Sequence, residues 1–246
     1  MNKIATNTLY QIITKLSTSA SGFIITILIA HYLGAQGYGQ YIKITTFVSM
    51  FYLIADFGLN AIFLSLSQKE ALIRRLLALR LALSLLIVIF VNLLIFFLPF
   101  NPTQDIGFSP DLRLASFIFS LTIIFQAILL SATAIFQKKL RYDLHMYSVI
   151  AGTFLTLGLI FLSSFIHAPL EYILLSYVLG GGLTALASLL LLRERITPLK
   201  IDLKFSKQLL KASLPLGLML FFNLVYFRID IIILSLYKNT TDVALY

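Results

Sequence analysis

Apolar residues run through this chain in long blocks, and inside two of those blocks polar residues recur at helical spacing. The blocks Thr8–Leu33 and Gln40–Leu66 each exceed the ~20 apolar residues that cross a bilayer at ~1.5 Å of rise per residue. In the first, Thr8, Gln11, Lys15, Thr18, Ser19, Gly22 and Thr26 follow one another at short, mostly three- or four-residue steps. At ~100° per residue they fall on one stripe of a helix. In the second, Thr46, Ser49, Asp56, Asn60 and Ser67 repeat the pattern. Two consecutive spans, each with a polar stripe and a charge, predict a polar cavity in preference to contacts that merely glue helices together. Charges at membrane depth are costly, which makes Lys15 and Asp56 candidate functional residues.

Further apolar blocks predict spans at about 76–100, 114–136, 147–166, 172–192 and 212–237. The connections are short. A six-residue turn joins the first two spans, and Asn101–Arg113, with Pro102, Gly107 and Pro110, is the longest outer loop. Gln126 sits near the middle of the fourth span. In the sixth, Ser176, Gly180, Thr184 and Ser188 place a small residue at every fourth position, a spacing that lets helix backbones approach closely. The fold class that follows is an all-α integral membrane protein, a polytopic bundle of about seven transmembrane helices. Residues 1–192 hold six of these spans, 193–211 a basic linker and 212–246 the seventh; the family resemblance given below makes the first six an N-terminal bundle and the seventh the first helix of a truncated second bundle. The linker's own pattern allows an amphipathic helix lying on the membrane.

Composition supports the class. The chain is 59% hydrophobic and 12% charged, with mean hydropathy +0.95, against roughly a quarter charged in soluble domains. The absence of cysteine excludes disulfides and thiolate metal sites. His31, His145 and His167 lie far apart near span ends and read as interfacial anchors, so neither a metal nor a cofactor is expected. The net charge of +9 could suggest nucleic acid, but its distribution reads as topology. Fourteen of the nineteen Lys and Arg, from Lys3 and Lys69 to Lys207 and Lys211, fall on one set of alternate loops or at span ends beside it. By the positive-inside rule that side, with the amino terminus, is cytoplasmic. Arg80, one turn inside the third span, and Lys43, off the stripe near the outer end of the second, are expected to snorkel to the surface. A membrane enzyme would need catalytic groups on a substantial loop, and the outer loops carry only Asp105, Asp111 and Glu171 as carboxylates. No enzyme is expected.

Three short motifs carry a family resemblance. Ile29-Ala30-His31-Tyr32-Leu33-Gly34, followed by Tyr38-Gly39-Gln40-Tyr41, resembles the first outer turn of bacterial polysaccharide flippases. Those often read Ala-Arg-x-Leu-Gly and then Tyr-Gly-x-Tyr, so His31 stands in place of the usual Arg. Asp56-Phe57-Gly58-Leu59 is similar to that family's Asp-Phe-Gly-Leu. Arg228-x-Asp230 is similar to the first helix of its second half. The resemblance implies the O-antigen and lipid-linked oligosaccharide flippases of the multidrug/oligosaccharidyl-lipid/polysaccharide exporter superfamily, in which two six-helix bundles rock about a central cavity. This chain would supply one bundle and one further helix, and would not transport by itself.

The implied cargo is an undecaprenyl-pyrophosphate-linked oligosaccharide, carried across the bacterial cytoplasmic (inner) membrane. Membrane lipid and a glycan polymerase or other assembly proteins are the further implied partners. The site residues are Lys15, Gln11, Asp56, Asn60, Arg228 and Asp230. Lys15 and Arg228 would meet the pyrophosphate, and Asp56 would pair with Lys15 in the empty state, since the two lie within ~5 Å in depth. Arg228 and Asp230, two residues apart, face nearly opposite sides of their helix. The alternatives are a cation-coupled multidrug exporter with Asp56 as its ion site, and a non-transporting fragment or accessory subunit.

Overall fold

A computed structural model describes residues 3–66, 72–103, 106–192 and 201–245. Lys69 therefore lies outside the described residues, as do Asp105, Arg193, Arg195 and Lys200. Helices follow in the order α1 (Lys3–Asp56), α2 (Leu59–Leu66) and α3 (Ile73–Phe97). A two-stranded antiparallel ribbon comes next, β1 (Phe100–Asn101) with β2 (Ile106–Gly107). Then follow α4 (Pro110–Ser120), α5 (Thr122–Lys138), α6 (Tyr142–Phe165), α7 (Leu170–Leu192), α8 (Leu203–Tyr237) and α9 (Thr240–Leu245).

Among the described residues, six stretches of helix are long and apolar enough to span a membrane, the first being Lys3–Ser65. At ~1.5 Å per residue its 63 residues would reach about 95 Å if straight, some three bilayer cores. It is bent instead at Gly34, whose backbone (φ 64°, ψ −174°) leaves the helical region. A side chain at that φ would be strained, so glycine is the residue for the bend. The contacts show that the chain folds back there. Asn7 accepts a hydrogen bond from the Tyr142 amide at 3.0 Å, while at the far end Phe63 packs in one cluster with Phe136 and Leu192. Both ends thus meet the α5–α6 turn. The midpoint meets the other face, where the Tyr32 hydroxyl donates to the Ala168 carbonyl between α6 and α7. With two antiparallel limbs in the first and five further stretches, the described residues supply seven apolar helical segments, as many as the expected spans. The expected six-residue turn shrinks to one residue, and Gly39 is left to pack against the Thr240 carbonyl.

Two buried clusters fill the bundle. One holds Ile44, Val48, Ala55, Val91, Ala115, Ile123 and Ile173. The other, nearer the basic loops, holds Leu59, Phe63, Leu76, Ala134, Phe136 and Leu209. Between them along the chain lies Phe57-Gly58, where α1 stops and α2 starts. Both residues have positive φ, 43° and 70°, tolerable at Gly58 and strained at Phe57. Against this break sits α8, whose Leu216 fills the space beside Gly58 and whose Gly217 admits the Phe57 ring.

The small-residue spacing in the sixth span does what its period predicts. A Cβ at Gly180 would strike the Thr156 hydroxyl and the Gly152 carbonyl, and one at Gly152 would strike Thr184 and the Gly180 carbonyl. Helices α6 and α7 therefore touch backbone to backbone.

Several boundaries and side chains differ from expectation. The loop Asn101–Arg113 contains the β1–β2 ribbon, and its last turn is already α4, started by Pro110 with the Ser109 side chain accepting from the Leu112 amide. Arg113 ties the ribbon down by donating to the Phe108 and Leu98 carbonyls. The seventh span begins at Leu203, so Leu203–Lys211 continues it instead of lying on the surface. Asp202 caps that helix through the Phe205 amide and meets Arg75 at 2.6 Å. The capping bond, with Arg75 beside it, holds its carboxyl below the usual range. Lys43 does not snorkel. It is 1% exposed and donates to the Thr240 hydroxyl at 2.8 Å, because the fold lays α9 over that end of α1.

Candidate functional site

Two adjoining cavities open between the first limb of α1 and helices α5, α6 and α7. The one nearer the basic loops, about 480 Å³, is lined by Gln11, Thr14, Lys15, Thr133 and His145 among others. The deeper one, about 300 Å³, is lined by Thr18, Tyr52, Thr153, Thr156, Tyr177 and Thr184 among others. Thr18, Gln126, Leu129 and Val149 line both, so the two share a wall or throat at that level. The polar stripe of the first span thus faces inward over part of its length. Gln11, Lys15, Thr18 and Gly22 all border these cavities.

The two parts differ in chemistry. The part nearer the basic loops carries the Lys15 ammonium and His145, whose Nδ1 lies 3.1 Å from the Thr133 hydroxyl. The deeper part is lined by hydroxyls, glycines, aromatic rings and one amide, with no charged side chain in its lining. Among the described residues, the side chains of Gln11, Lys15 and Gln126 have no hydrogen-bond or ionic partner. An ammonium or amide left open at membrane depth is stable only against water or a ligand.

The other expected site residues do not reach these cavities. Asp56 and Asn60 meet Arg80 instead. Arg80 Nη2 donates to the Asp56 carboxylate at 2.6 Å and Nη1 to the Asn60 carbonyl oxygen at 2.8 Å. The Asn60 amide in turn donates to the Leu130 carbonyl at 3.2 Å. This corrects two expectations at once. Arg80 is fully buried with Asp56 only 25% exposed, so the arginine turns into the bundle and does not snorkel. In this structure Arg80, not Lys15, is therefore the partner of Asp56. The reason is geometric, since the helix break at Phe57-Gly58 presents Asp56 and Asn60 to α3. On α8, Arg228 is exposed and Asp230 half-buried, and neither lines the two cavities.

Sequence reading missed Arg80 as a partner because one turn inside a span is also where a snorkelling side chain sits. It missed Tyr52, Thr153 and Tyr177 because nothing in a single helix says which of its hydroxyl residues face a cavity. Gln126 had a signal, an amide in the middle of an apolar run. Of the loop carboxylates, Asp105 lies outside the described residues, while Asp111 and Glu171 sit in the first turns of α4 and α7, remote from both cavities.

A family model described as polysaccharide biosynthesis protein matches residues 4–246. The comparisons with curated proteins and with solved structures give no significant match.

Proposed function

The chain belongs to the polysaccharide biosynthesis protein family, and on that premise we propose that it carries a lipid-linked oligosaccharide across the bacterial cytoplasmic membrane as a flippase, not as an enzyme. The observation that carries the reading is the open Lys15 ammonium on a polar cavity within an otherwise apolar bundle. A saccharide joined to undecaprenyl through pyrophosphate brings two unlike groups into the membrane, a dense anion and a polyol. Each is expensive in hydrocarbon, and each needs a polar surface. Lys15, with Gln11 beside it, supplies a cation and an amide for the anion. Arg228 on α8 is a second cation for the same cargo when a facing bundle closes over it. Alternating access then follows from rocking two bundles about this level, with the amino terminus cytoplasmic as the basic loops suggest. A glycan polymerase or another assembly protein would take the cargo on the far side.

The exporter alternative assigned Asp56 to a coupling cation. Its carboxylate already holds Arg80 at 2.6 Å, which favours the flippase. The test is a cell lacking the protein, followed for the side on which lipid-linked saccharide collects. The proposal expects accumulation on the cytoplasmic leaflet, restored to export by the wild-type chain together with a matching second bundle and not by its Lys15→Ala form, with drug sensitivity unchanged. Normal export in the deleted cell would overturn it.

A further inference from the structure

The deeper cavity has a chemistry of its own. Its 300 Å³, at the ~30 Å³ a water occupies in the liquid, is room for about ten waters, or for a pyranose ring with its substituents. Several of its hydroxyls donate within their own helices. Thr18 donates to the Thr14 carbonyl, which leaves its oxygen lone pairs to the cavity, while the Thr156 and Thr184 hydroxyls donate to the Gly152 and Gly180 carbonyls and sit against the glycine of the facing helix. Thr122 donates to Phe119, so in the Tyr52–Thr122 bond the tyrosine is the donor and its own lone pairs stay open. The Thr153 hydroxyl, without a partner among the described residues, can donate or accept, and Gln126 brings two donors with one acceptor. Its amide has no partner among the described residues and lies on both cavities. The rings of Tyr52, Phe125 and Tyr177 add apolar faces.

This set suits a neutral polyol and disfavours an anion. Sugar hydroxyls donate to open acceptors, the ring C–H faces lie on aromatic surface, and an amide pairs with vicinal hydroxyls in both directions. A phosphate here would be buried without a cation, which costs far more than the hydrogen bonds return. The spacing fits a two-part ligand as well. Lys15 and Gly22 are seven residues apart, about 10 Å along the α1 axis, so a ligand whose anion is held at Lys15 enters the deeper cavity by extending inward along α1.

We propose that the uncharged cavity between α1, α5, α6 and α7 is a subsite for the sugar nearest the pyrophosphate, and that Gln126 is the residue that selects it. This rests on the flippase reading, which supplies the anion bound at Lys15. Because the chain has no cysteine, single thiols report each part separately, Leu130→Cys for the cavity nearer the basic loops and Thr153→Cys for the deeper one. Both are alkylated by a water-soluble maleimide in the purified 246-residue chain. The probes are dodecyl pyrophosphate and the same lipid carrying one hexose, one N-acetylhexosamine or one 6-deoxyhexose.

All probes should slow alkylation at Leu130→Cys. At least one sugar-bearing probe should slow Thr153→Cys about fivefold more than dodecyl pyrophosphate does, the equivalent of about one net hydrogen bond. Gln126→Leu should abolish that extra protection while leaving Leu130→Cys protected by the sugar-free lipid. Protection at Leu130→Cys with no sugar-dependent protection at Thr153→Cys would overturn the subsite and leave the flippase reading standing. Extra protection that survives Gln126→Leu would overturn the role of the amide. No protection at either thiol would overturn the flippase reading and the subsite together.

Discussion

Two cations on the inner halves of the first and third spans have opposite surroundings. Arg80 is fully buried with its guanidinium shared between Asp56 and Asn60. Lys15 lies exposed on the wall of a 480 Å³ cavity, without a partner among the described residues. The sequence presents them alike, as single charges in apolar runs. What separates them is whether the fold delivers a counterion. A cation whose carboxylate arrives within the same chain has its charge balanced and holds helices together. A cation left open keeps its binding capacity for something outside the chain. Lys43, buried and donating to the Thr240 hydroxyl, is likewise occupied within the chain, by a hydroxyl where Arg80 has a carboxylate.

The sharpest way to break this comparison is at Arg80, where the largest loss of stability is expected. Truncating one side of a buried ion pair leaves the other charge without its partner and costs about 3–5 kcal/mol. Arg80→Ala should therefore lower the midpoint of thermal unfolding in detergent more than any variant considered below. Asp56→Asn, which keeps a hydrogen-bond acceptor, should lose less. Arg80→Lys should not rescue, since an ammonium cannot span Asp56 and Asn60 as the fork does. Wild-type unfolding for Arg80→Ala would mean that the pair does not hold α1, α2 and α3 together.

Gly152 comes next. Its missing side chain lets α6 and α7 meet at the Gly180 carbonyl and Thr184. Gly152→Ala forces the helices apart at an estimated cost of about 1–3 kcal/mol. Gly158, with open space around its Cβ position, is the internal control, and Gly158→Ala should be neutral or slightly stabilising. Equal unfolding midpoints for the two alanine variants would contradict the backbone contact.

Lys43→Ala removes the donor to Thr240 and should cost about 1–3 kcal/mol, with the loss concentrated at α9. Faster amide exchange over residues 240–245 than in the wild type is the expected signature. Unchanged exchange there would show that Gly39 packing alone secures α9.

How far the sequence foretold all this follows from which physics is local. Span number and class were legible, because a bilayer demands long apolar helices whatever their neighbours. The α6–α7 contact was legible too, since a four-residue period of small residues has one packing consequence. The bend at Gly34 was placed correctly but made too long, because helix resumed at once and a turn of six residues was not needed. The site was legible on one helix only. A stripe on α1 named Gln11 and Lys15, whereas the opposite walls at Gln126, Thr153 and Tyr177 depend on how α5, α6 and α7 rotate, which no single helix encodes. The Asp56–Arg80 pair was missed for the same reason. Its partners come from α1 and α3, and the positive-φ step at Phe57-Gly58 that orients them has no signature beyond one glycine. The seventh span shows the same dependence at larger scale. Only 6% of its most apolar window is buried, against 28–44% in the other five, so most of α8 faces away from the bundle that fixed every other helix.

The smallest expected change in stability is at Lys15, and it decides the comparison. An exposed side chain with no partner contributes little to folding, so Lys15→Ala should leave the unfolding midpoint within about ±0.5 kcal/mol of wild type. Its effect should appear only with an anion present. Binding of dodecyl pyrophosphate should weaken about tenfold, equivalent to about 1.4 kcal/mol. Part of the wild-type affinity should fall with added salt, because a cation on an open cavity is screened. Lys15→Arg should keep most of the binding, in contrast to the failed exchange at Arg80, because an open cavity tolerates either cation where a fitted pair does not. If Lys15→Ala destabilised the protein as strongly as Arg80→Ala, with binding unchanged in what remained folded, Lys15 would be one more structural cation. The cavity beside it would then need another explanation.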